Sequence, residues 1–481
     1  MYLGIDVGTS GVKAIILDDA GAVVAQSTAS LPISRPQPLW SEQDPSDWWR
    51  ATCVAVQRLP DESRRKIEAI GLAGQMHGAT VLDESDTVIR PAILWNDGRS
   101  ARECTQLETA CTDLHDVAGN LAMPGFTAPK LLWLKDHEPE HFDRVKKVLL
   151  PKDYVRLLMT GDYATDVSDA AGTLWLDVEK RRWSEPILKF CGLSPDQMPT
   201  AYEGCEITGQ LRDKVADEWG MPRATPVAAG GGDNAAGAVG IGVFGEGDAF
   251  LSLGTSGVLF TGDAIYRPNA KSGVHTFCHA LPGVWHQMSV MLSAASCLEW
   301  ASRLTGSSSV EALISSAEAS DGFGQSRSLF LPYLSGERTP HNDPTAQGVL
   351  FGLNHESDAA LVAQAVLEGV ALGFADGLDV LAASKEIEAI SVIGGGARSP
   401  YWGRILAAAL GKTLIYRKNA DVGPALGAAR LAQMGAHGQR TPEFKAPDID
   451  YEIVPEAADI AFMTDQLGRY RALYQQTKDL F

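Results

Sequence analysis

A five-residue segment occurs twice in this chain, almost half its length apart. Gly8-Thr9-Ser10-Gly11-Val12 recurs letter for letter as Gly254-Thr255-Ser256-Gly257-Val258, in a chain of 481 residues. Each copy follows an apolar, strand-like run, Tyr2 to Asp6 and Ala249 to Leu253. Each also precedes another, Val12 to Leu17 and Val258 to Phe260. A Gly-containing turn between two such runs predicts a β-hairpin. Its repetition at half length predicts two large domains of related topology, residues 1–245 and 246–481. Length alone suggests about three domains of ~150 residues, and the repeat lowers that to two.

The chain is rich in glycine, with 48 residues or about a tenth against a usual ~7%, and much of it collects where strands end. Ile67 to Ala73 predicts a strand running into Gly74-Gln75-Met76-His77-Gly78. Val88 to Leu94 predicts another, running into Trp95-Asn96-Asp97-Gly98-Arg99. Thr225 to Ala229 predicts a third, ending in Gly230-Gly231-Gly232-Asp233-Asn234 at the start of an Ala-rich helix. In the second half, Ile390 to Ile393 leads into Gly394-Gly395-Gly396-Ala397. Polar, Gly-containing loops at strand ends are where open α/β sheets bind ligands. Asp44 and Pro45 predict an N-cap and first helical residue for a helix holding Trp48, Trp49 and Val54.

Composition excludes several classes. With 60 acidic against 41 basic side chains the net charge is -19, the wrong sign for neutralising a nucleic-acid backbone. Apolar residues at 45% and charged residues at 21% exclude global disorder. Seven scattered cysteines without a CxxC pair fit free thiols in a reducing cytosol. No basic region precedes the first apolar segment, and no uninterrupted apolar run approaches 18 residues. A cytoplasmic protein with no membrane span is therefore expected. Gly240-Ile241-Gly242-Val243-Phe244-Gly245 follows a helix rather than a strand and lacks the dinucleotide-binding context. His275 and His279 flank Cys278 on a predicted hairpin, where alternation points Cys278 to the opposite face, against a zinc site.

The two repeated turns are either ordinary tight hairpins or phosphate cradles. Gly8, Thr9 and Ser10 in the first, with Gly254 and Thr255 in the second, can present backbone N–H groups and hydroxyls to phosphate oxygens. Repetition on related domains favours a clamp that holds a polyphosphate from both sides of a cleft. Asp6 precedes the first turn, whereas the equivalent residue before the second is Ser252. A single carboxylate beside phosphate suggests a Mg²⁺ position. Asp233 reads as a helix N-cap or as a general base for a hydroxyl nucleophile. The helix dipole is expected to lower its pKa. His77 and Met76 lie between two glycines on a strand-end loop, where His77 can hydrogen-bond sugar hydroxyls. Asp97 and Arg99 are either a polar substrate wall or a local ion pair.

Asp6-Val7-Gly8-Thr9-Ser10-Gly11, the Gly74–Gly78 loop, Trp95–Arg99 and Gly230–Asn234 together resemble the FGGY family of carbohydrate kinases. So do Gly125-Phe126-Thr127-Ala128-Pro129-Lys130 through Trp133 and Gly348–Gly352 continuing to Glu368. The resemblance runs from residue 1 to about residue 435. It implies an α/β protein of two ribonuclease H-like, actin-type ATPase domains with a cleft between them. It implies sugar nearer the N-terminal side and ATP on the C-terminal side. By the same resemblance Asp233 is the catalytic base, with Asp6 acting beside it near Mg²⁺ and the γ-phosphate. Met76, His77, Asp233 and Asn234 bind substrate. Gly254 and Thr255 form a second phosphate loop, and Gly395 and Gly396 a nucleotide loop. The expected activity is transfer of the ATP γ-phosphate to D-xylulose, with another pentulose such as ribulose, or a polyol, as the alternative. Glycerol kinases carry an Arg-Glu pair where this chain has Met76-His77, which argues against glycerol. An actin-like nucleotide switch is the reading from a different class. The expected partners are the sugar and ATP, with no nucleic acid and no membrane, and a homodimer is left open.

Overall fold

The first hairpin forms as its sequence dictates. Strand β1 (Tyr2–Val7) turns through Gly8 to Ser10 into β2 (Gly11–Leu17), followed by β3 (Val23–Ser30). Leu3, Ile5 and Val7 are fully buried, as are Tyr2 and Ile15 to Leu17. Burial on both faces is what near-continuous apolar strands require. A computed structural model describes residues 1–320, 322–325, 327–418 and 423–481. Within them β4 (Ala69–Gly74), β5 (Ile207–Gln210), β6 (Pro226–Ala228) and β7 (Gly231–Gly232) complete a seven-stranded sheet. Its order is β5-β6-β4-β1-β2-β3, with β7 pairing β4. β1, β2 and β3 form an antiparallel meander, while β4 lies parallel to β1 and β6 parallel to β4.

The second half repeats this plan. β8 (Ala249–Leu253), β9 (Gly257–Asp263), β10 (His275–Cys278), β11 (Trp285–Met291), β12 (Ala389–Ile393), β13 (Thr413–Arg417) and β14 (Ile449–Ile453) form a second seven-stranded sheet in the order β10-β11-β9-β8-β12-β13-β14. β8, β9 and β11 are successively antiparallel, β12 and β13 continue parallel from β8, and β14 closes the edge antiparallel. The first sheet has the same run of directions from β3 through β5. The repeated pentapeptide therefore marks one supersecondary plan used twice.

Helices cover the sheets. α1 (Pro45–Gln57) starts as expected, with Asp44 accepting from the Ser46 N–H, and buries Trp48, Ala51, Ala55 and Val56. α2 (Thr127–His137), α3 (Pro151–Thr160) and the short α4 (Val167–Ala171) lie in the insertion between β4 and β5, and α5 (Asp233–Ile241) follows β7. α6 (Ala359–Asp379) is long and apolar enough to cross a membrane, yet 78% of its most apolar window is buried inside the protein. It is the core helix of the second half, packed with Trp402, Leu331 and Tyr470. α7 (Gly423–Ala436) belongs to the second half in sequence but packs on the first sheet. Glycines make that approach close. A Cβ at Gly4 would stand 2.0 Å from the Ala425 carbonyl oxygen, and one at Gly71 would stand 1.9 Å from that of Ala428.

One expected strand is largely absent. Of Val88 to Leu94 only Ala92–Ile93 is extended into a sheet, paired with Glu42–Gln43. Pro91 has no N–H for a ladder, and the Asp83 carboxylate closes a turn by accepting from the Ser85 and Thr87 N–H groups.

Candidate active site

The two identical turns are not identical structures. Val7 pairs with Val12, leaving four residues in the first loop, while Leu253 pairs with Gly257, leaving three in the second. The Gly8 N–H donates to the Gly11 carbonyl at 3.0 Å, but the Gly254 N–H donates to Ser256 at 3.1 Å. Their surroundings set this difference. The Thr9 hydroxyl donates to Gln75 Oε1 at 3.0 Å and accepts from the Trp95 indole at 3.0 Å. The Thr9 carbonyl accepts from Gln43 Nε2 at 2.7 Å. The first turn is thus braced from three sides, and its Thr9 hydroxyl is committed within the protein. What it can still offer an anion is the Thr9 and Ser10 N–H groups, which have no acceptor among the described residues. In the second turn the Thr255 carbonyl accepts from the Ala294 N–H and the Ser296 hydroxyl, while the Thr255 and Ser256 side chains stay exposed.

The Gly394 loop lies against this second turn. Gly394 has φ +95°, and a Cβ there would stand 2.6 Å from the Leu253 carbonyl oxygen. Gly396 fits against Leu253 and Trp402, whereas Gly395 has open space around its Cα. The two Gly loops of the second half therefore share one ledge above the end of β8.

Asp6 and Asp233 come together at the ends of central strands of the first sheet. Asp6 sits on β1 opposite Lys13 of β2. Its Oδ1 is buried with no hydrogen-bond partner among the described residues. Burial, aided by the charge of Asp233 and opposed by Lys13, pushes its carboxyl up to about 7. Asp233 is the first residue of α5, and the N-cap is Gly232 rather than Asp233 itself. Its Oδ1 accepts from the Asn234 N–H at 2.7 Å and from Asn234 Nδ2 at 2.9 Å. Here the sequence expectation is reversed. The helix dipole was expected to lower the pKa, but burial outweighs both Asn234 bonds and raises it to about 6.

His77 lies on the loop just beyond the end of β4, with φ +69°, a left-handed backbone that few side chains adopt. Its carbonyl is held by Lys130 Nζ at 2.8 Å and by the Thr127 hydroxyl, both from α2. Its Nδ1 lies 2.6 Å from the Gly172 carbonyl oxygen, so Nδ1 carries the proton and Nε2 is left as an acceptor. Burial, with the nearby positive charges of Lys130 and Arg338, lowers its pKa to about 3, and the ring stays neutral at any ordinary pH. Met76 packs beneath. Cβ atoms at Gly172 and Gly232 would come within 2.8 and 3.0 Å of its side chain.

The undecided pair resolves as an ion pair. Arg99 is bidentate on Asp97, at 2.9 and 2.7 Å, and also reaches Glu42 at 2.8 Å. Its guanidinium lies 3.5 Å over the Trp40 ring, and both charged side chains are essentially sealed from solvent. Trp95 of the same motif is the exposed member and braces Thr9.

Sequence reasoning missed a group that supports the site. The Gly232 N–H donates to Ser168 Oγ at 3.1 Å, and Ser168 in turn bonds Asp166, the N-cap of α4. Lys152 Nζ sits among Asp153, Asp166 and Asp169 at 2.6, 2.9 and 3.2 Å, all fully buried. No local pattern signals this cluster, because residues 152, 166 and 169 are brought together by packing alone. Arg338 was missed as well.

A chain with twin sheets, paired Gly loops and two carboxylates with raised pKa values at the strand ends of one sheet invites comparison with known proteins. The N-terminal domain of the FGGY family of carbohydrate kinases matches residues 1–240, and the C-terminal domain matches residues 249–436. The chain belongs to that family. It is 56% identical over 480 residues to the xylulose kinase of Escherichia coli (strain K12), covering 99% of each chain. It is 54% identical over 484 residues to the xylulose kinase of Klebsiella pneumoniae, covering 100% of each. Among solved structures it is similar to a xyloylose kinase from Brucella ovis, with a TM-score of 0.96 and 46% identity over the whole of both chains.

Proposed function

We propose that this protein transfers the γ-phosphate of ATP to the 5-hydroxyl of D-xylulose, giving D-xylulose 5-phosphate and ADP. The observation that carries the reading is the Asp233 carboxylate. It is oriented by Asn234, raised to about 6, and follows Gly232, against which Met76 of the His77 loop packs. The near full-length identity to two xylulose kinases supports the substrate. Asp233 takes the proton of the attacking hydroxyl as the O–P bond forms and the bond to the β-phosphate oxygen breaks. A carboxylate with pKa near 6 is ionised at pH 7 yet basic enough for that transfer. His77 Nε2 accepts from a sugar hydroxyl and orients the chain of the sugar.

The donor set fits Mg²⁺. A buried carboxylate oxygen without a partner, Asp6 Oδ1, matches an ion that takes one or two carboxylates and keeps several waters. When bound there, the ion neutralises phosphate charge. The Thr9 and Ser10 N–H groups, with Gly254 and Thr255, hold phosphate oxygens in line for attack. Gly395, with open space around its Cα, admits the nucleotide where a side chain would intrude, and Gly396 lets that loop close onto Leu253 and Trp402. We assign both sheets to the ribonuclease H-like, actin-type class. The halves divide at 245/246, and α7 is the element that crosses back. Seven free cysteines support a reducing, cytoplasmic location.

The test is ADP release with a panel of sugars and polyols, alongside Asp233→Ala. D-xylulose should rank first and the variant should lose at least about a hundredfold in kcat. Ribulose ranking above xylulose defeats the substrate assignment. Retained turnover in Asp233→Ala defeats the base. An actin-like switch would hydrolyse ATP without any sugar dependence.

A further inference from the structure

D-xylulose closes into its furanose ring through the 5-hydroxyl, so that hydroxyl is free to accept phosphate only when the sugar is open. The open chain has a ketone oxygen at C2, which accepts hydrogen bonds and donates none. Buried against protein, it needs an N–H or O–H donor. Most of the groups already placed around Asp233 only accept or are turned to other partners. Asp233 and His77 Nε2 are acceptors. The His77 Nδ1 proton is spent on Gly172, one Asn234 Nδ2 proton is held by Asp233, and the buried Lys130 Nζ is turned to the His77 carbonyl.

One further donor lies near His77, and it comes from the second half of the chain. Arg338 Nη1 donates to His275 Nε2 at 3.1 Å, and His275 Nδ1 donates to Asn120 Oδ1 at 2.8 Å. Asn120 is itself fixed on the Ala118 and Thr276 carbonyls. The His275 ring stands edge-on to Phe126 at 5.6 Å, and Phe126 stands edge-on to His77 at 4.7 Å. Arg338 is thus tied through two rings to the sugar loop, close enough for its charge to act on His77. Among the described residues its guanidinium has no carboxylate within ion-pair distance, and Nε and Nη2 have no acceptor. The neighbouring Glu337 carboxyl is turned to the Leu292 and Arg338 backbone N–H groups instead. A guanidinium held in place by one nitrogen, with Nε and Nη2 free of acceptors among the described residues on a partly exposed side chain, has donors to offer a substrate oxygen.

We propose that Arg338 is a substrate-contact residue that donates to the C2 carbonyl oxygen of the open-chain ketose. A carbonyl can only accept, whereas a polyol's C2 hydroxyl can turn and donate to an acceptor instead, so loss of Arg338 costs the ketose more than the corresponding polyol. This rests on the kinase reading above. It also gives the second half of the chain a part in sugar recognition, so that the sugar is held from both sides of the cleft.

The experiment compares D-xylulose as substrate with xylitol, the same carbon skeleton carrying a hydroxyl at C2, as competitive inhibitor. The full-length protein is set beside Arg338→Met and Arg338→Lys. Loss of a hydrogen bond from a charged donor should lower kcat/KM for D-xylulose about ten- to a hundredfold in Arg338→Met. The Ki of xylitol should move less than about threefold, the KM for ATP should hold, and Arg338→Lys should recover part of the loss. Equal weakening of xylulose and xylitol would make Arg338 a strut for His275 and overturn the proposal, as would unchanged kcat/KM for xylulose. Should Arg338→Met not fold, Arg338→Lys alone decides by the same ratio. Failure of the unsubstituted protein to phosphorylate any ketose would instead defeat the kinase reading itself.

Discussion

Asn234 offers a direct test of what sets the basicity of Asp233. The carboxylate is pushed up to about 6 by burial, and the two Asn234 bonds act against that push. Replacing Asn234 by Ala keeps the backbone N–H at 2.7 Å and removes the Nδ2 bond at 2.9 Å. A hydrogen bond to a charged group contributes ~1.5–3 kcal/mol, and one pKa unit corresponds to ~1.36 kcal/mol. The full loss would be about one to two units, and water entering the vacated space brings this to about one. Removing a donor destabilises the charged form, so the pKa rises, from about 6 towards 7. The base works only when ionised, so the acid limb of kcat/KM should move up by about one pH unit. After normalising to the alkaline plateau, the variant should be about threefold down at pH 6.5 and level at pH 8.5. Normalisation separates this effect from any loss of sugar binding, which would lower the whole curve. The measurement is kcat/KM for D-xylulose from pH 5 to 9 by coupled ADP detection. An acid limb that stays in place or moves down would refute the assignment of that limb to Asp233 and the electrostatic reasoning behind it.

Asp6→Asn should reduce kcat and weaken Mg²⁺ dependence. Because the Asp6 pKa is higher folded, near 7, than unfolded, its burial costs no stability in acid and an increasing amount as pH rises from about 4 to 7. The variant should therefore gain thermal stability over the parent progressively across that range, and a constant difference in Tm would exclude the shift. Gly427→Ala would place a Cβ 1.7 Å from the Ala236 carbonyl oxygen between α5 and α7. A loss of about 3 kcal/mol by urea unfolding is expected, the upper end for overpacking because backbone cannot rotate aside. Arg99→Ala leaves Asp97 buried without its ion pair and should cost about 3–5 kcal/mol of stability. Its KM for sugar, measured below the melting range, should be unchanged, and a raised KM would restore the substrate-wall reading.

Much of the fold was legible because it is written locally. The twin hairpins, the Asp44-Pro45 helix start and the strand-end Gly loops follow from alternation, capping and turn chemistry, which act over a few residues. The same locality made Asp6, His77 and Asp233 stand out, since each lies within two residues of a Gly-containing loop at a strand end. Val88 to Leu94 misled because its apolar pattern competes with an Asp83 turn and with Pro91.

The sequence by itself determined two related sheets, the loops that end their strands, and the residue types available there for phosphate and sugar chemistry. Tertiary structure decided what those residues are. It gave one pentapeptide two different turns, because Gln43, Gln75 and Trp95 brace only the first. It turned Asp97 and Arg99 into a sealed strut and brought Arg338 across from the other half. It also raised Asp233 where the local helix dipole alone would have lowered it. Burial and charge partners are sums over residues far apart in the chain, and no local pattern encodes such a sum.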